Sequence, residues 1–216
     1  MSASSAISKM LINIPWLEVM ANIWRNGRKL ILGLSHEGMY EVLEYDAVLE
    51  LLDRNGKKAR YKKRKKIRYL QDNIIAYQDY AWGDGEILRG YRCTPGKPVD
   101  RYRFDYKTHI LISLREVKNR GDIDEFIIQW NMKNVFLKPD ESWTTDISNR
   151  TKNLRISVIF PKERHPTRLV LVENNQRKTQ SISSEQKKRL PNGRLRVTWE
   201  VKKPRLYEHY IIKWSW

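Results

Sequence analysis

From about residue 38 to the C-terminus, apolar and polar residues exchange places with a period of two in one short run after another. Leu195, Val197, Trp199 and Val201 alternate with Arg194, Arg196, Thr198 and Glu200. Phe126, Ile128, Trp130 and Met132 repeat the pattern, as do Leu154, Ile156, Val158 and Phe160, and again Tyr210, Ile212, Trp214 and Trp216. A period of two belongs to a strand with one buried and one wetted face. Leu169–Val172 lacks the alternation and reads as a more buried strand. Asn55–Gly56, Asn174–Asn175 and Asn192–Gly193 supply turn chemistry between the runs. About ten strands are expected, and the chain is expected to be mainly β, an antiparallel β-sandwich or partly open barrel.

A different pattern precedes the strands. Pro15 can open a helix that runs to about Asn26 and stops at Gly27. Trp16, Leu17, Val19, Met20, Ile23 and Trp24 cover most of its circumference, so it must dock on the body or on a partner protein. The expected organisation is a helical segment over 1–34, a β-rich first half over 35–138 and a basic β-rich second half over 139–216. The boundary near Pro139, Asp140 and Glu141 is weak, and both halves can share one sandwich. Asn13, Pro15 and Glu18 interrupt the N-terminal apolar stretch, which excludes a secretory signal and points to a cytoplasmic location. No run of eighteen apolar residues is present, so no membrane-spanning helix is expected.

The formal net charge of +17 is unevenly placed. Residues 57–68 hold nine Lys or Arg and no acid, residues 150–216 have a net charge of +12, and the two remaining blocks are each slightly acidic. Localised excess of this kind favours a polyanionic partner. Asn55–Gly56 predicts a two-residue turn between strands near 41–54 and 57–70, in which paired positions sum to 111. Asp46 would then face Lys65, Glu50 would face Tyr61 and Glu44 would face Ile67. On the other face, Lys58, Arg60, Lys62, Arg64, Lys66 and Arg68 would form a row about 34 Å long, with only Asp53 as a countercharge. That register sets the row against Leu43, Leu49 and Leu51, which want burial; the aliphatic stems of the cations would have to cover them. A helix over 57–70 is the alternative geometry. A second basic cluster, Lys187, Lys188, Arg189, Arg194 and Arg196, surrounds Asn192–Gly193.

Chemistry beyond charge is sparse. Asp100, then Glu116–Val117–Lys118 at the end of an apolar run, resembles the spacing of the PD-(D/E)xK nucleases. That resemblance implies two carboxylates on Mg²⁺ and a lysine that orients the attacking water. The chain departs from it at Asn119–Arg120–Gly121–Asp122, a turn where the family places a helix. Trp82–Gly83–Asp84–Gly85–Glu86 reads as a tight exposed loop with a half-buried Trp82. The lone Cys93 excludes an internal disulfide and a cysteine zinc site; basic neighbours would lower its pKa, but a small core residue is the commoner role. No Walker loop or dinucleotide fingerprint occurs, and neither metal nor cofactor is expected. The expectation is a non-enzymatic nucleic-acid-binding module contacting phosphates through the basic hairpin and the second cluster. A protein-interaction module using the N-terminal helix and the acidic loop is one alternative, and a Mg²⁺-dependent nuclease is the other.

Overall fold

The computed structural model describes residues 38–216. The chain divides into Met1–Met39 and Tyr40–Trp216. The helix expected over residues 15–26 lies outside the described residues.

Residues 40–216 fold as β1 (Tyr40–Leu51), β2 (Lys58–Tyr69), β3 (Ile74–Ala81), β4 (Glu86–Thr94), β5 (Lys97–Phe104), β6 (Lys107–Lys118), β7 (Ile123–Lys133), β8 (Asp140–Asp146), β9 (Thr151–Phe160), β10 (Arg168–Glu173), β11 (Lys178–Ser181), β12 (Lys187–Arg189), β13 (Leu195–Lys202) and β14 (His209–Ser215). No helix occurs among the described residues, so none there is long and apolar enough to cross a membrane. The strands form three sheets, and none closes into a barrel. A seven-stranded sheet runs in the order β12-β13-β9-β1-β2-β7-β4, a four-stranded sheet β11-β10-β14-β8, and a three-stranded sheet β3-β6-β5. Neighbours pair antiparallel throughout, except for the parallel pair β1–β9. That pair joins the two sides of the expected boundary near residue 138 in one sheet.

One face of the seven-stranded sheet carries most of the buried residues, among them Leu49, Tyr61, Phe126, Ile128, Val158 and Val197. Both smaller sheets lie against this inner face. Trp214 of β14 meets Phe160 of β9 edge-on at 5.5 Å, and Tyr210 of β14 lies 5.0 Å from Trp199 of β13. On the other side, Tyr77 of β3 stacks on Phe126 of β7 at 4.1 Å. Burying each of these side chains contributes roughly 2–3 kcal/mol, so the inter-sheet aromatic contacts hold the layers together.

The β1–β2 hairpin corrects the expected register by one residue. From Leu51↔Ala59 to Glu44↔Lys66 the paired positions sum to 110, not 111, and an irregularity at Leu43 brings the pairs beyond it to 109. The cause is Asp53. Its carboxylate accepts the backbone N–H groups of Asn55, Lys57 and Lys58 at 2.8, 3.2 and 2.6 Å. These bonds favour a longer loop closed by Leu52 N–H on the Lys58 carbonyl, in place of a two-residue turn. Gly56 sits in that loop at φ +70° and accepts the Phe136 N–H at 3.1 Å. A one-residue shift exchanges the partners of every side chain on the pair. Leu49 now faces Tyr61 and Leu51 faces Ala59, so the expected conflict between leucines and cations is absent.

Gly56 and Gly121 make a matched test of this loop. A Cβ at Gly56 would fall 1.7 Å from the Phe136 carbonyl oxygen, whereas one at Gly121, also at positive φ, meets nothing within 4 Å. Gly56→Ala is expected to lower unfolding free energy by on the order of 3 kcal/mol and Gly121→Ala by about 1 kcal/mol. Urea denaturation midpoints measure both, and equal losses would show that Gly56 is not confined by Phe136.

Candidate functional site

The alternation of β2 sorts its cations onto two faces of the seven-stranded sheet. Lys58, Arg60, Lys62, Arg64, Lys66 and Arg68 face outward, as expected. The register brings the acids of β1 to this same face. Arg64 binds Glu44 and Asp46 on β1 and Glu125 on β7, the last at 2.8 Å. These bonds, that to Glu44 first, hold its pKa above the ordinary arginine value. Arg68 pairs with Glu41 at 3.1 Å and Arg60 with Glu50 at 3.7 Å. The row is therefore not free of countercharge. Its arginines are committed to carboxylates, while Lys58, Lys62 and Lys66 have no carboxylate partner among the described residues.

The second cluster divides in the same manner. The ladder from β2 through β1, β9 and β13 puts Arg196 and Lys188 on the outer face. Lys187 and Arg189 alternate to the other side of the edge strand β12, and both are exposed. Arg194 is held by the Glu50 carboxylate and by the Leu51 carbonyl at 2.8 Å, so it braces the hairpin. Between the two clusters, Ser157 and Ile159 of β9 are buried, and the cations do not line one continuous groove. Sequence reasoning missed Arg92 of β4. It faces Gln129 of β7, whose other neighbour on the ladder is Lys62.

The nuclease spacing does not assemble. Asp100 of β5 pairs with Leu111 of β6, five positions before Glu116, which is about 17 Å along a strand. Lys118 is engaged by Glu116 and, at 3.0 Å, by Asp124. No group of three potential metal ligands occurs among the described residues. Cys93 is also corrected: burial first, then Asp79, pushes its thiol up to about 12, the opposite of activation. Trp82 is half-buried, and Asp84 in its loop lies 3.6 Å from Lys138.

On the inner face, the odd positions of β2 read Ala59, Tyr61, Lys63, Lys65, Ile67 and Tyr69. Two lysines thus stand in an apolar row, with 4% and 6% of their surface exposed. They lie in the floor of a cleft of about 300 Å³, between the end of β3 on one side and β8 on the other. Lys63 binds Asp79, whose other oxygen accepts the Tyr91 hydroxyl at 2.8 Å. Lys65 has no carboxylate partner among the described residues and lies 4.4 Å from the centre of the Tyr45 ring. Burial first, then the Lys63 charge, lowers its pKa from 10.5 to about 7. At the edge of the cleft, Asp146 binds Lys107 at 2.9 Å and His209 at 2.6 Å. The sequence signal for this site was the interruption of the odd row by Lys63 and Lys65. The one-residue error in register hid it by placing Asp46 opposite Lys65.

No protein-family model and no curated protein matches this sequence.

Lys65 gives stability a defined pH dependence. The unfolded chain holds its proton up to the ordinary 10.5, and the folded chain releases it near 7. Between those values the unfolded state binds more protons, so raising the pH favours folding. The contribution is complete above 10.5 and is lost as the pH falls through 7. Unfolding free energy is expected to rise by on the order of a few kcal/mol from pH 7 to 9.5. Lys65→Met should raise stability at pH 7 and flatten this rise. Denaturant titrations across that range check it, and equal slopes for both proteins would contradict it.

Proposed function

We propose that residues 40–216 form a non-enzymatic nucleic-acid-binding module that contacts phosphates along the outer face of the seven-stranded sheet. The observation that carries this reading is the division of labour on β2. Its arginines bind acids of the neighbouring strands, whereas Lys58, Lys62 and Lys66 alternate with them and remain without a carboxylate partner among the described residues. Lys66 faces Glu44 and Glu125 on the ladder, but both acids turn to Arg64. Arg92 extends the surface across β7. Arg196 and Lys188 supply a second foothold on the same face, about three and four strand spacings from β2, or roughly 14 and 19 Å. Contacts of this kind position a backbone without reading its bases, so modest sequence preference is expected. The seven- and four-stranded sheets serve in this reading as the layers of a β-sandwich, with the phosphate surface on the outside of the larger layer.

One observation favours a protein-interaction module as a second reading. β5 is an edge strand exposed along its whole length, with Val99 and Phe104 among its exposed residues. Such an edge can take up a strand from another chain.

A salt series with labelled single- and double-stranded DNA and RNA separates the readings. Replacing Lys58, Lys62 and Lys66 by Gln is expected to weaken binding and to reduce the slope of log K against log salt by about 2–3, with the melting temperature almost unchanged. Replacing Arg60, Arg64 and Arg68 by Gln should lower the melting temperature and change that slope much less. The reverse pattern would reject the assignment of these residues. Absence of binding at about 50 mM salt would retire the nucleic-acid reading and leave the edge-strand one.

A further inference from the structure

The inner cleft has three properties of a ligand site that the outer face does not use. It is enclosed by rings. Tyr61 lies between Trp130 and Trp143, with centroids 4.6 and 4.7 Å away, and Tyr80 stacks on Trp82 at 5.7 Å. It contains buried donors with nothing to bind. Trp130 Nε1, Trp143 Nε1 and Thr145 Oγ1 are buried with no hydrogen-bond partner, and Trp130 and Thr145 are themselves 3% and 2% exposed. It also contains the Lys65 ammonium, which has aromatic neighbours but no anion among the described residues. Buried polar groups are satisfied in the great majority of cases, so several bare donors in one cleft point to an acceptor that arrives from outside.

The charge arrangement limits what that acceptor belongs to. The floor is basic at Lys63 and Lys65, with Lys63 already matched by Asp79. The cleft's remaining acids are Asp84, Asp140, Glu141 and Asp146. Asp146 is taken by Lys107 and His209, and Asp84 by Lys138. A densely charged polyanion would meet Asp140 and Glu141 together with these. A ligand with one anionic end and an uncharged planar body meets the lysine with its anion and the rings with its faces. The volume of about 300 Å³ is at the small end of ligand pockets and suits one or two fused rings.

We propose that this cleft is a binding site for a small planar aromatic molecule bearing a single anionic group, the anion held at Lys65 and the ring lying among Tyr61, Tyr80, Trp130 and Trp143. The site is independent of the phosphate surface, because Lys65 alternates to the face opposite Lys62 and Lys66. Binding an anion there restores the proton that burial removes, so complex formation takes up protons near neutral pH.

Naphthalene-1-sulfonate is a suitable probe, followed by tryptophan fluorescence and calorimetry on the full chain. The neutral naphthalene-1-sulfonamide and inorganic sulfate serve as the separated ring and anion. The sulfonate is expected to bind at least tenfold more tightly than the sulfonamide, and sulfate alone is expected not to saturate. At pH 7, heats in buffers of different ionisation enthalpy should show uptake of about half a proton. Lys65→Met should remove the preference for the sulfonate and the proton uptake, while Lys62→Met leaves both intact. Trp130→Phe keeps an aromatic ring and deletes one donor, so as a second, independent variant it should weaken the sulfonate several-fold. Equal affinity for sulfonate and sulfonamide, no proton uptake, or saturation only at millimolar concentration would overturn the proposal. Loss of nucleic-acid binding in the Lys58, Lys62 and Lys66 variant with sulfonate binding unchanged would separate the two sites.

Discussion

The alignment of β1 against β2 decides which charges meet which partners, and the remainder of the molecule follows from it. β1 is the central strand of the seven and carries Glu41, Glu44, Asp46 and Glu50 on its outer face. With paired positions summing to 110, these acids stand among the arginines of β2 and beside Arg155 of β9, which lies 3.6 Å from Asp46. Exposed pairs of this sort contribute little singly, about 0–1 kcal/mol, but the several-fold engagement of Arg64 makes a network with a preferred geometry. A slip by one residue would set carboxylates toward the buried rings and leucines toward water, so the charge pattern and the core pattern reinforce the same alignment.

The inner face shows the consequence of placing eight cations in the twelve residues of a strand that alternates. Two of them have to point at the core. Lys63 is stabilised by Asp79 and by the rings around it. Lys65 is stabilised by rings and by release of its proton, and its environment is therefore destabilising for the charged form. A core built for stability alone would carry an aliphatic residue at this position. In the reading proposed above, the rings, the bare indole donors and the open volume beside Lys65 give the lysine a different role, as a group that regains its proton when an anion enters the cleft.

The strands and their faces were legible wherever one side was buried, because Phe126–Met132, Leu154–Phe160 and Leu195–Val201 alternate cleanly. The outward direction of Lys58 through Arg68 was legible for the same reason. The short strands β11 and β12 and the wholly exposed β5 have no apolar face, so no periodicity marks them and the strand count was low. The register was hidden because Asn55–Gly56 has the chemistry of a two-residue turn, and only the side-chain bonds of Asp53 lengthen it. The parallel partnership of β1 with β9 joins segments distant in sequence and leaves no local trace. The cleft needed both pieces of information. Lys63 and Lys65 were visible as interruptions of an apolar row, but the wrong register gave them neighbouring acids and a wetted environment.

Both functional readings rest on which residues stand opposite one another across β1 and β2, so that pairing is the quantity to measure. Nuclear Overhauser contacts between backbone protons of directly opposed residues report it in solution. Cross-strand contacts joining Asp46 with Arg64, Val48 with Lys62 and Glu50 with Arg60 are predicted. Contacts joining Asp46 with Lys65 and Glu50 with Tyr61 as the directly opposed pairs would contradict the alignment, because opposed residues share a face and Lys65 would then stand beside the acids of β1.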